Sequence, residues 1–94
     1  MIEDAAKYIA RDSPAAARRL AVNAVDAAES LYELSERGRV VPELNDSRYR
    51  ELFVGSYRLV YRVEQEHIAI VAFVHGARDF RSWWKRHNPE RPPN

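Results

Sequence analysis

Five arginines, one histidine and a tryptophan pair, all in the second half of the chain, are the residues whose types and spacing could do chemistry. Arg58 and Arg62 alternate with Leu59, Tyr61 and Val63. A period of two puts the arginines on one face of a strand and the apolar residues on the other. Arg50, one run earlier, could join them, and Arg78 and Arg81 follow the third run. Guanidinium groups gathered in this way hold phosphates or carboxylates through charge-assisted hydrogen bonds. The plainer alternative is a solvated sheet face, partly neutralised by Glu51 and Glu64. His75 closes the third run just before Gly76, where a histidine can serve as a general acid or base. It can equally be structural. Trp83-Trp84 followed by Lys85-Arg86 has the composition of a base-stacking patch or of a protein-binding hot spot. It also fits one tryptophan packed under the sheet. His67 and His87 stand alone, so no metal site is expected and no cofactor is implied. A Gly-rich phosphate loop, a nucleophile elbow and paired carboxylates are all missing.

These side chains need a scaffold, and the stretch Tyr49–Phe80 supplies it. Runs at 48–54, 57–63 and 68–75 are rich in β-branched and aromatic residues. Gly55-Ser56 and Glu64-Gln65-Glu66 separate them, which describes an antiparallel meander. The nearly continuous apolar run 68–75 is expected to be its central, doubly covered strand. Upstream, Ile2, Ala6 and Ile9 have helical spacing, Ser13-Pro14 marks an N-cap and first helical residue, and alanine-rich sequence runs on to about Glu36. The apolar stripe of that second helix is Ala17, Leu20, Ala24, Ala27, Leu31 and Leu34. Gly38 ends it, and 39–47 is expected to be a loop. Residues 77–88 read as a short helix or arm. The fold class is therefore α+β in two layers: an N-terminal helical hairpin packed on an antiparallel meander, with a short C-terminal helix or arm. Residues 1–88 are expected to form one domain and 89–94 a disordered tail.

Size and charge narrow the function. Ninety-four residues suffice for one small core. The absence of cysteine excludes a disulfide framework and thiol chemistry. The longest apolar stretch, 68–74, is far too short to span a membrane, and a cytoplasmic location is expected. Residues 1–36 carry four Lys/Arg against seven Asp/Glu, whereas 37–94 carry eleven against seven. Thirteen of the fifteen cations are arginine, which favours bidentate contact with an acidic partner or a nucleic acid.

The strings Arg39…Pro42-Glu43-Leu44, Tyr49-Arg50-Glu51-Leu52, Tyr57-Arg58-Leu59-Val60-Tyr61-Arg62-Val63 and His75-Gly76-Ala77-Arg78-Asp79, in that order, resemble the ParE/RelE superfamily of bacterial toxins. Tyr8-Ile9-Ala10…Ser13-Pro14-Ala15-Ala16-Ala17 is similar to that superfamily's helical hairpin. The resemblance covers roughly residues 2–80. It implies a toxin of a type II toxin–antitoxin module, neutralised by a cognate antitoxin, with a homodimer possible. ParE-like members poison DNA gyrase; RelE-like members cleave messenger RNA on the ribosome. By resemblance, Arg58 and Arg78 match phosphate-holding arginines of the ribonucleases, with His75 as a substitute proton carrier. Arg50, however, replaces a lysine, Leu52 stands where a second lysine belongs, and the only aromatics after Arg78 are Phe80, Trp83 and Trp84. The ParE-like alternative is favoured, with Arg50, Arg58, Arg62, Arg78, Arg81, Trp83 and Trp84 as partner- or target-binding residues. A non-toxic, antitoxin-binding remnant is the third alternative. It is motivated by the absence of the strand that usually precedes the hairpin, a strand expected either upstream or lost.

Overall fold

The computed structural model describes residues 13–88. The first helix of the expected hairpin and the expected tail at 89–94 lie outside the described residues.

Helix α1, Pro14–Ser30, starts where the sequence demands. Ser13 adopts an extended backbone and its Oγ accepts from the Ala16 amide at 3.1 Å, while Pro14 occupies a first-turn position that needs no donor. The helix stops six residues before the expected Glu36. Ser30 Oγ donates back to the Ala27 carbonyl at 2.6 Å, a local bond that competes with helix continuation. Leu31 then turns into the core, and Leu34, past the helix end, lies exposed. From the centre of the sheet, the Tyr61 hydroxyl donates to the Ser35 carbonyl at 2.8 Å and accepts from the Gly38 amide at 2.9 Å. Tertiary bonds thus fix the exit path that helix propensity alone would have prolonged.

The sheet has four antiparallel strands in the order β1 (Arg39–Val40), β2 (Tyr49–Val54), β3 (Tyr57–Val63) and β4 (Ile68–His75). The three meander strands fall where the alternation puts them. Short β1 lies within the segment expected to be loop, pairing Arg39 with Glu51 and Val40 with Arg50. Gly55 has φ +59°, the backbone that a two-residue hairpin turn requires and glycine adopts without strain. Among the described residues β3 is central and β4 lies at the edge, which corrects the expected strand order. The apolar run of β4 reflects cover on both faces rather than a central place. A bulge between Val60 and Tyr61 shifts its register, so that Val60 faces Ala72 and Tyr61 faces Ile70.

Adjacent strand residues point to opposite faces, and the two faces bury separate clusters. Toward α1, Leu59, Val54 and Phe73 close over Ala24. Away from it, Tyr49, Val60, Ala72 and Val74 pack with Val41, Leu44, Phe80 and Trp84. The last two belong to α2, Phe80–His87, whose N-cap Asp79 accepts from the Ser82 amide at 3.2 Å and the Ser82 hydroxyl at 2.8 Å. Trp84 meets Tyr49 edge-on with ring centres 5.2 Å apart. The arginine-bearing face of β3 is therefore roofed, not solvated.

Among the described residues no helix is long and apolar enough to cross a membrane.

Candidate functional site

Arg58 sits at the centre of the roofed face. Its register partner is Phe53, which makes Glu51, two residues earlier on β2, its diagonal neighbour. Arg58 Nε and Nη2 donate to Glu51 Oε1 at 2.7 and 2.5 Å. Nη1 and Nη2 also donate to Glu43 Oε2 and Oε1 at 2.8 and 2.7 Å, a bidentate fork. The Arg58 side chain is 6% exposed, and its guanidinium lies 4.4 Å from the centre of the Phe80 ring. Glu51 is buried and accepts at its other oxygen from Arg39 Nε at 2.6 Å.

Glu43 reaches this point because the turn carrying it is anchored on both sides. Val41 and Leu44 are buried, and the Leu44 and Asn45 amides both donate to the Val41 carbonyl. Asn45 closes the turn at φ +49°, a conformation that asparagine tolerates. The pairing shifts both ionisations. The Arg58 hydrogen bonds hold the Glu43 carboxyl below its usual range against the opposing effect of burial, with Arg81 adding to the lowering. Hydrogen bonding to Glu43, opposed by burial and joined by Glu51, raises Arg58.

The remaining candidate residues do not converge on Arg58. Arg62 shares its face but is paired with Glu64, its Nε donating to Glu64 Oε1 at 2.5 Å. Arg50, expected to join the two, stands opposite Tyr61 and so lies on the α1 face, where Nη1 donates to the Gly38 carbonyl at 2.9 Å. His75 pairs with Tyr57, also on the α1 side; its Nδ1 accepts from the Ala77 amide at 3.1 Å and its ring meets Tyr57 edge-on. Arg78 is exposed ahead of α2, and Arg81 is exposed in its first turn. Trp84, considered above as a contact residue, is 1% exposed and belongs to the core. Trp83 is half-buried between Phe80, 6.1 Å away, and His87, 4.3 Å away and nearly parallel.

A family model described as "ParE toxin of type II toxin-antitoxin system, parDE" matches residues 1–80. The chain belongs to the ParE toxin family. No curated protein matches the sequence. The α+β architecture agrees with the ParE/RelE-like fold that the motif order implies. In this ParE-family toxin the arginine of the Tyr57–Val63 strand is a buried ionic node, fixed by Glu51, which was expected only to neutralise a solvated face in part, and by Glu43, which the sequence did not single out. Glu51 was within reach: a two-residue turn at 55–56 fixes the register and sets Glu51 diagonal to Arg58. Glu43 lies fifteen positions from Arg58 on a turn whose path nothing local dictates.

Proposed function

We propose that this ParE-family toxin acts by binding, inhibiting DNA gyrase, and that a cognate antitoxin neutralises it by covering its exposed cationic and apolar surface. The supporting observation is the state of Arg58. All of its described donors go to the protein's own carboxylates, and His75 lies on the opposite face of the sheet. A ribonuclease of this fold needs a cation free for phosphate and a proton carrier near it, both reaching one substrate. Leu52 in place of a lysine agrees with the binding alternative. The surface left for partners includes Phe53, Tyr32 and Leu34, 56%, 84% and 60% exposed, together with the cations of α2. An antitoxin segment bearing acidic and apolar residues suits that mixture.

Purified protein added to gyrase and relaxed plasmid is expected to block supercoiling, and antitoxin co-expressed from the same module is expected to relieve the block. Unimpaired supercoiling at excess toxin, with transcripts cut in a ribosome-dependent assay, would establish the RelE-like alternative instead. Neither activity, and no growth arrest on induction, would leave the antitoxin-binding remnant.

A further inference from the structure

Helix α2 carries a continuous column of rings. Phe80, Trp83 and His87 follow at three and four residues, the spacing that aligns side chains along one helix face. Phe80 and Trp83 are tilted by 30° at 6.1 Å, and Trp83 and His87 by 19° at 4.3 Å. The column starts in the core, where Phe80 is 2% exposed, and ends at an exposed imidazole. That imidazole does not swing freely, because His87 Nδ1 lies 2.8 Å from the Trp83 carbonyl oxygen. The outer face of a ring held in this way is a platform for one more planar group.

The segment that carries the column is cationic. From His75 to Asn88 the chain has Arg78, Arg81, Lys85 and Arg86 against a single acid, Asp79. Among the described residues Asp79 caps α2 through Ser82, and Glu43 grips Arg58, with Arg81 adding to the field there. Arg78, Lys85 and Arg86 are exposed, and among the described residues they form no ion pair. At about 100° per residue, Arg86 lies on one flank of the column, whereas Lys85 is about 160° from His87, on the far side of the helix. Cations at a helix C-terminus stabilise the helix through its dipole. That accounts for their charge, but not for a ring stack carried out to an exposed end.

The geometry points to a single-stranded nucleic-acid contact on α2, in which an unstacked base lies on His87 while Arg86 and Arg78 hold phosphates of the same strand. A base supplies the planar group and its own backbone supplies the anions at short range, whereas an acidic peptide supplies only the charge. A duplex keeps its bases stacked and offers nothing to the platform. The inference is independent of the gyrase proposal, because it is read without any gyrase present.

The full-length chain is titrated into fluorescein-labelled single-stranded DNA and RNA of about 12 nucleotides, and into the matching duplex, with fluorescence anisotropy as readout. Binding to a single strand tighter than to duplex is expected, with whichever of DNA and RNA binds tighter naming the source. Two phosphate contacts give a log–log salt slope of about −1.4. His87→Ala should weaken single-strand binding by about fivefold or more, and His87→Phe, which keeps a ring there, should restore most of it. Arg86→Gln should flatten the salt slope to about −0.7, and Lys85→Gln, on the far side of the helix, should leave it unchanged. Absence of binding at low salt would overturn the inference. So would equal affinity for duplex and single strand with His87→Ala neutral, or displacement of the strand by poly-glutamate at equal charge concentration, which would assign the surface to an acidic protein segment.

Discussion

Arg58→Ala is the perturbation that most directly separates an ionic node from a phosphate-binding residue. The substitution removes four hydrogen bonds to carboxylates and the packing of the guanidinium over Phe80. Glu43 can turn out to water, but Glu51 is 2% exposed and, among the described residues, keeps only Arg39 as a side-chain partner. Removing one partner from a buried pair costs about 3–5 kcal/mol, because the remaining charge stays desolvated. A domain of this size is stable by roughly 5–15 kcal/mol, so a large part of the total is at stake. The melting temperature should fall by on the order of 15 °C or more, at about 4–8 °C per kcal/mol for a small domain. Urea unfolding followed by tryptophan emission measures the loss, since Trp84 is buried one layer above. Arg58→Met combined with Glu51→Leu should recover much of it, because replacing both partners leaves no orphaned charge. A loss below about 1 kcal/mol, the value of an exposed ion pair, would refute the buried-node account. A toxicity or cleavage assay on an Arg58 variant therefore has meaning only beside its unfolding curve.

Two further outcomes follow from the same geometry. Glu43 is held below its ordinary value near 4.5 by Arg58, so its folded pKa lies under its unfolded one. Its contribution is full above the unfolded value and lost as pH falls through the folded one, which means that stability should decline from about pH 4.5 downward. Glu43→Gln should flatten that part of a denaturation-against-pH curve, and an unchanged acid limb would contradict the assignment. Gly38→Ala should cost about 1–3 kcal/mol, because a Cβ there would stand 2.6 Å from the Glu51 carbonyl and 2.7 Å from the Tyr61 hydroxyl. Gly55→Ala meets nothing within 4 Å and carries only the backbone cost of φ +59°, about 1 kcal/mol. Thermal melts that reversed this order would show that the β1 junction yields to a methyl group.

The strands and the α1 cap were legible because they depend on short-range rules. Alternation and the Gly55 turn fix β2 and β3, and Ser13-Pro14 fixes the start of α1. What escaped the sequence depended on distant partners. The length of α1 was set by Tyr61 acting on Ser35 and Gly38, twenty-six and twenty-three residues away. β1 is two residues long and carries no periodicity of its own. The arginine face looked solvated because Arg58, Val60 and Arg62 alternate in the manner of a half-exposed strand. In three dimensions α2 and the turn at 41–45 cover it, and the polar residues on that face answer one another rather than water. Arg50 was misplaced relative to Arg58 through a parity error that the Gly55 hairpin register would have removed.

The Tyr61 hydroxyl has a kinetic consequence. It joins the helix exit to the centre of the sheet across more than twenty residues, so the 31–38 segment, whose turn bonds are local, gains its anchor to the sheet only from β3. That anchor must wait for the β2–β3 hairpin, whose closure is local and fast. Once made, the bond shields the Gly38 amide behind a phenol that leaves only when β3 does. Hydrogen exchange at Gly38 should thus proceed through opening of the central strand, and that single amide reports on the cooperative unit to which the helix exit belongs.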